Sequence, residues 1–290
     1  MAAWVAAPET REAAMSAHSL RPALASGRPL HLFWLALGSP VIADIAAQAG
    51  PDALVLDLQH GVWRPSGLEA AIGGAGRQVP VIARCADAGA TAIGQALDAG
   101  ASAVLAPLVE DARTAAAVVA ASHYPPRGIR SAGGVRTLLG GLHGMLEAGR
   151  EVAVGVMIET AAGVEQAEAI AAVPGLDFLF IGTGDLALSI GLDHPASLEA
   201  ACQRILAAAR AHRLPCGIYT GDAESARRRT AQGFALAVCG NDFDILRRGC
   251  DAAVRTVLDQ PQIPDPSHTP QAAEESAPQR HAERRAGGSP

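Results

Sequence analysis

Apolar residues in this chain fall into short, nearly unbroken runs, separated by alanine-rich stretches with a helical period. The runs predict strands at His31–Leu37, Ala53–Leu58, Val79–Arg84, Ala103–Leu108, Val152–Glu159, Leu176–Gly182, Cys216–Tyr219 and Leu236–Cys239. Most are continuous rather than alternating, as expected of strands covered on both faces in a parallel sheet. Between them, helical patterns cover Val41–Ala49, Gly67–Gly76, Ala90–Ala99, Asp111–Ser122, Gly163–Ala172, Ser197–Ala211, Ala223–Gln232 and Asp242–Leu258. Strand and helix alternating at a spacing of about 25 residues predict an α/β fold of the (β/α)8 TIM-barrel type. A doubly wound open sheet would use the same elements, but no GxGxxG follows the first predicted strand. One connection, residues 123–151, is far longer than the rest. Such a loop is expected to be functional or to carry a small helix of its own. Its Gly-rich part, Ser131 to Val135, would either bring backbone amides to an anion or form a plain surface excursion.

The pattern sets the expected boundaries: an N-terminal extension at 1–27, a single barrel domain at 28–260 and a C-terminal tail at 261–290. The tail is rich in Pro, Ser, Gln, Glu and Arg and nearly lacks large apolar residues, so it is expected to be disordered. With 49% apolar residues in a chain of 290, a sizeable core is available. A net charge of -6 and only 3% aromatics argue against a nucleic-acid partner. No apolar stretch approaches the roughly 20 residues of a membrane helix, and no secretory pattern opens the chain, so no membrane partner is expected. Five scattered cysteines without CxxC spacing predict reduced thiols in a cytoplasmic protein.

Several predicted strands end on residues suited to catalysis. ALVLDLQH delivers Asp57 and His60, VPVIAR delivers Arg84, VAVGVMIE delivers Glu159 and FLFIGTGD delivers Asp185. In a barrel, the C-terminal ends of the strands converge on one mouth. Glu159 and Asp185 suit a hard divalent cation, Arg84 an oxyanion, and Asp57 with His60 a His–Asp pair. Blander readings exist: Asp185 could cap a helix, His60 could be a core histidine, and Arg84 could sit in an ion pair below the mouth. Uncompensated charges gathered at one rim would oppose folding, which favours a site. All 23 basic residues are arginine. Without lysine, Schiff-base and pyridoxal phosphate chemistry are excluded, so a carbonyl must be polarised by a metal or by fixed donors.

The segments LDLQHG, IAR, ALDAGASAVLAPLV, YPPRGIR, VMIET and FIGTGDLALSIG resemble the metal-dependent pyruvate aldolases of the HpcH/HpaI aldolase and citrate-lyase β-subunit family, from about Pro29 to Leu258. The resemblance implies a class II aldolase that splits a 4-hydroxy-2-oxoacid, such as 4-hydroxy-2-oxoheptanedioate, into pyruvate and an aldehyde. It implies that Glu159 and Asp185 ligate Mg2+ or Mn2+, with Co2+ able to substitute. Arg84 would stabilise the developing enolate oxygen, and His60, oriented by Asp57, would transfer a proton. The backbone amides of Gly184 and Asp185 would hold the substrate carboxylate. Asp98 would support the site of a neighbouring subunit in a homo-oligomer, expected to be a hexamer. The chain departs from the family pattern at Gln59, where a glutamate is usual, at Thr183-Gly184, where Pro-Ala is usual, at Met157, where some members carry glutamine, and in CADAG after Arg84. The same residues leave open an acyl-CoA lyase of the malyl-CoA type, or an idle barrel that binds 2-oxoacids.

Overall fold

The computed structural model describes residues 19–258; the expected disordered tail at 261–290 and most of the expected N-terminal extension lie outside them. Eight parallel strands, β1 (Leu30–Leu35), β2 (Ala53–Asp57), β3 (Val81–Arg84), β4 (Ala103–Ala106), β5 (Ala153–Ile158), β6 (Phe178–Ile181), β7 (Cys216–Ile218) and β8 (Leu236–Asn241), close into a barrel in chain order. The barrel matches the expected fold class, and each strand lies within two residues or so of its expected bounds.

Because successive side chains alternate across a strand, every strand sends one parity inward. Leu30, Leu32, Ala53, Val55, Ile82, Ala103, Leu105, Ala153, Phe178, Phe180, Leu236 and Val238 form the barrel interior. The other parity, with Leu54, Leu56, Val104, Val154, Val156, Leu179 and Ile181 among it, packs against the helices in a second apolar layer. Each fully buried Phe or Leu contributes roughly 1.5–3 kcal/mol of apolar burial. Where the interior is crowded, β7 carries Gly217: a Cβ there would stand 2.3 Å from the Phe180 ring.

Three elements differ from the sequence expectation. Leu20, inside the expected extension at 1–27, has no exposed surface and joins the barrel-interior cluster, followed by the short helix Arg21–Ala25. Arg21 fastens it, donating from Nη2 to Asp177 at 2.9 Å and from Nε to the Val152 carbonyl at 3.1 Å. One leucine among alanines and arginines has no period to reveal it. The expected helix Gly163–Ala172 divides into Ala161–Glu165 and Ala167–Ala171. The junction is Gln166, whose N–H is shared between the carbonyls of Ala162 and Gly163. The third is a helix at Thr183–Ile190, directly after β6. The long connection 123–151 carries the helix Gly141–Glu151, one of the two outcomes foreseen for it.

The barrel unit closes at Gly249; Cys250–Leu258, all exposed, are the last turns of the helix Asp242–Leu258. No helix among the described residues is long and apolar enough to cross a membrane. The five cysteines are unpaired.

Candidate active site

The inward parity does not stop where the strands stop. It places Trp34 on β1, Asp57 on β2, Arg84 on β3 and Met157 on β5 and, continued by one more step, Glu159 after β5, Gly182 after β6 and Tyr219 after β7 in a single ring. These residues, with His60, Thr183, Gly184, Asp185 and Leu188, line a cavity of about 310 Å³ at the mouth. The five residues expected at one rim, Asp57, His60, Arg84, Glu159 and Asp185, are therefore there.

Asp57 and Arg84 are neighbours in the β2–β3 register and form a buried, two-pronged ion pair. Arg84 Nε donates to Asp57 Oδ1 and Nη2 to Oδ2, both at 2.8 Å. Nη1 donates to Gln59 Oε1. Two of the five guanidinium N–H groups remain for another oxygen. Trp34 adds its Nε1–H to Asp57 Oδ2 at 3.1 Å, and its ring lies 5.4 Å from the guanidinium carbon. Burial opposes the charge on Asp57, but the bonds and charge of Arg84, with smaller help from His60 N–H and Trp34, hold its carboxyl below the usual range.

This geometry corrects the expected His–Asp pair. Asp57 Oδ1 accepts the backbone N–H groups of Gln59 and His60, each at 3.0 Å, so it shapes the turn that presents His60 without touching the imidazole. The reason is competition: a bidentate guanidinium in the adjacent strand takes both carboxylate oxygens. His60 itself is exposed on the rim.

Glu159 is 1% exposed, and its Oε1 accepts the Leu108 N–H at 2.7 Å. Its Oε2 accepts no hydrogen bond from the described residues and lies against Gly182, where a Cβ would meet it at 2.1 Å. Burial pushes the Glu159 carboxyl up, and the charge of Asp185 adds to this, against the opposing Leu108 amide and Arg84. Asp185 is half-buried in the first turn of the helix Thr183–Ile190. Neither carboxylate is in an ion pair among the described residues. Leu186 N–H closes the first helical bond to the Gly182 carbonyl, so the N–H groups of Gly184 and Asp185 are first-turn donors with no partner inside the helix.

A cation fits here. Two carboxylates line one cavity, one of them buried with a free oxygen, and among the described residues neither is ion-paired, Arg84 being bound to Asp57. Among the described residues no group of three or more His, Cys, Asp or Glu could hold a metal ion. An ion would therefore take two protein oxygens and fill its shell with water and substrate, a habit of Mg2+ and Mn2+.

Two features singled out in the sequence lie away from this cavity. Asp98 ends the helix Ala90–Asp98, at the barrel end opposite the mouth, and pairs with Arg130 at 2.8 Å. It borders a separate groove of about 680 Å³ with Arg64, Glu69, Gln95 and Arg136. In the Gly-rich stretch Ser131–Val135, Gly134 lies against Asp98 and lines that same groove with Val135, and no residue of the stretch lines the mouth cavity. Conversely, the sequence reading missed Trp34 and Tyr219. Both continue an inward parity already visible in LHLFWL and CGIY.

The HpcH/HpaI aldolase/citrate lyase family matches residues 30–248. A 4-hydroxy-2-oxovalerate aldolase of Rhodococcus jostii is 39% identical over 81% of this chain and 94% of its own length. A hydroxypyruvate/pyruvate aldolase of Paraburkholderia phytofirmans is 32% identical over 82% of this chain and 96% of its own. Among solved structures, an HpcH/HpaI aldolase/citrate lyase family protein from Burkholderia cenocepacia superposes with a TM-score of 0.77 at 34% identity, covering 83% of this chain and 99% of that one.

Proposed function

The chain belongs to the HpcH/HpaI aldolase/citrate lyase family and is an aldolase, and from that premise we propose that it cleaves 4-hydroxy-2-oxoacids reversibly into pyruvate and an aldehyde, with a divalent cation held by Glu159 and Asp185. The observation that carries this reading is the pair of carboxylates, free of ion pairs, facing the Asp57-held guanidinium of Arg84 across one small cavity. A bound Mg2+ or Mn2+ would supply Lewis acidity at the 2-oxoacid, drawing charge from the carbon–carbon bond that breaks.

The chain's own residues take the remaining tasks. The first-turn amides of Gly184 and Asp185 receive the substrate carboxylate, where the helix dipole favours an anion. Arg84 turns its two unspent N–H groups to the ketone oxygen as negative charge builds on it. Asp57 keeps that fork rigid at almost no cost at the moment of reaction, because its bonds are already made. Gln59 does the same from the other side without adding a negative charge that would blunt the guanidinium. His60 takes the proton of the 4-hydroxyl, directly or through water, and returns it in the synthetic direction. We read the enzyme as a homo-oligomer, a hexamer by family likeness, in which Asp98 of one subunit supports the site of the next.

The names of the two relatives support short 2-oxoacid substrates, so the test uses 4-hydroxy-2-oxovalerate beside 4-hydroxy-2-oxoheptanedioate. Pyruvate release is expected to stop on full chelation with EDTA and to return with Mg2+ or Mn2+. Release that survives complete chelation sinks the metal-assisted reading. Turnover of malyl-CoA with neither oxoacid cleaved would move the function to acyl-CoA lysis.

A further inference from the structure

The geometry points to Tyr219 as a specificity-determining residue whose phenol donates a hydrogen bond to the acceptor aldehyde, selecting aldehydes that carry an oxygen on the carbon beside the carbonyl. The inference rests on the aldolase reading above and deepens it by naming the class of aldehyde.

Asn241 is the last residue of β8 and only 6% exposed. Its Oδ1 accepts the Asp244 N–H at 2.8 Å. A backbone N–H can only donate, so the side-chain amide has one possible orientation. Its Nδ2 then spends one hydrogen on Asp244 Oδ2 at 2.9 Å and the other on Tyr219 Oη at 3.2 Å. The tyrosine oxygen is thus an acceptor toward the protein, and its own hydrogen finds no acceptor among the described residues. A half-buried hydroxyl does not leave its donor idle without cost. Tyr219 lines the cavity, so that hydrogen is available to whatever fills it.

Position then decides what that is. Tyr219 follows β7 with the inward parity of Gly217, and its ring meets Trp34 edge-on with centroids 5.3 Å apart. The carboxylates of β5 and β6 and the amides after β6 take the 2-oxoacid end. The aldehyde portion is left with Trp34, Leu188, Met157 and Tyr219. Of these, Trp34 has committed its N–H to Asp57, and leucine and methionine have none to give. Tyr219 is where a polar substituent on the aldehyde meets an unspent donor. Burial, with the charge of Asp244, pushes the phenol's pKa up, so it keeps the hydrogen it is asked to give.

Glycolaldehyde and propanal provide the test, since they differ by a hydroxyl against a methyl of similar size. Pyruvate release is measured from their two pyruvate adducts, 4,5-dihydroxy-2-oxopentanoate and 4-hydroxy-2-oxohexanoate, and the quantity read is the ratio of kcat/KM. Wild type is expected to favour the dihydroxy acid, and Tyr219→Phe to cut that ratio on the order of tenfold. A ring that merely packs would change both substrates alike and leave the ratio standing, which overturns the proposal. Asn241→Asp is the second arm. Its carboxylate accepts the phenolic hydrogen and turns it away from the cavity, so the ratio should fall with Tyr219 still in place. A ratio unmoved by Asn241→Asp also overturns the proposal. If wild type releases pyruvate from neither acid, the aldolase reading falls and this inference with it; if it cleaves both and the variants keep its ratio, Tyr219 alone is wrong.

Discussion

Two buried carboxylates in this mouth carry opposite costs, and the contrast separates scaffold from chemistry. Asp57 is held below the usual carboxylate range by Arg84, so its charge belongs to the folded state and supports it above the ordinary carboxylate pKa of about 4. Glu159 is pushed up by burial, with Asp185 adding to it, so its charge works against the fold. The sign follows directly. A carboxyl whose folded pKa is raised binds its proton more tightly in the native state, and stability is lost as pH climbs from the unfolded value through the folded one. Glu159→Gln keeps an oxygen for the Leu108 amide and removes the charge. The metal-free variant is expected to be more stable than metal-free wild type at neutral pH, with the gap closing below pH of about 4, while Mn2+ binding is lost. Urea unfolding across this pH range, beside calorimetry with Mn2+, checks both halves. A variant less stable than wild type at neutral pH would mean that Glu159 is part of the scaffold. At this same scale the Asp57–Arg84 pair was within reach of the sequence, because both residues end adjacent strands on the inward parity. The pairing of the His60 imidazole with Asp57 does not form, because chain proximity hides that Arg84 has the better hydrogen-bonding geometry toward that carboxylate.

At the scale of elements, the site depends on how closely the ends of β5 and β6 approach. Gly182 leaves β6 at the height of Glu159, and any Cβ there would stand 2.1 Å from Glu159 Oε2, 2.9 Å from Met157 Cε and 3.0 Å from Glu159 Cβ. Glu159 cannot simply swing aside, since Oε1 is held by Leu108 and its Cβ is part of the collision. Gly182→Ala is expected to keep the barrel, as judged by circular dichroism, and to weaken Mn2+ binding about 10–100-fold by shifting the carboxylate. Wild-type Mn2+ affinity in that variant would show that Glu159 does not ligate. The strands themselves were legible because continuous Val, Leu, Ile and Ala runs have no other stable use than a sheet covered on both faces. The helix Thr183–Ile190 was not, because it begins with no loop after β6 and Thr-Gly-Asp imitates a turn. That omission matters, since this helix carries Asp185 in its first turn and opens with the Gly184 and Asp185 amides that have no partner inside it. Tyr219 stayed hidden for a different reason: its importance rests on Asn241, which is remote in sequence until β7 and β8 pair.

For the whole molecule, the decisive contrast is between two helices of equal length. Pro195–Ala211 spans 17 residues and buries Ala201, Cys202, Ile205, Leu206, Ala208 and Ala209. Asp242–Leu258 also spans 17 residues and buries only Asp242. Its apolar side chains Phe243, Ile245 and Leu246 are 48–54% exposed. The helix Pro40–Gln48, which follows β1 as the other follows β8, exposes Val41 and Ile45 by 66% and 63%. These two residues are four apart and share a face of that helix. Wetting such surfaces gains the fold nothing, and apolar patches of this kind are ordinarily covered by another protein surface. With β1 and β8 paired, the two helices flank one seam of the barrel, and a second copy of the chain offers the same surfaces in return. Self-association at micromolar concentration is therefore expected by sedimentation velocity. The double substitution Val41→Asp and Ile45→Asp should shift the main species to a lower mass. It should also reduce pyruvate release if Asp98 reaches its neighbour's site, whereas a wild-type monomer at these concentrations would confine the whole active site to one chain and leave Asp98 with no role beyond its pair with Arg130.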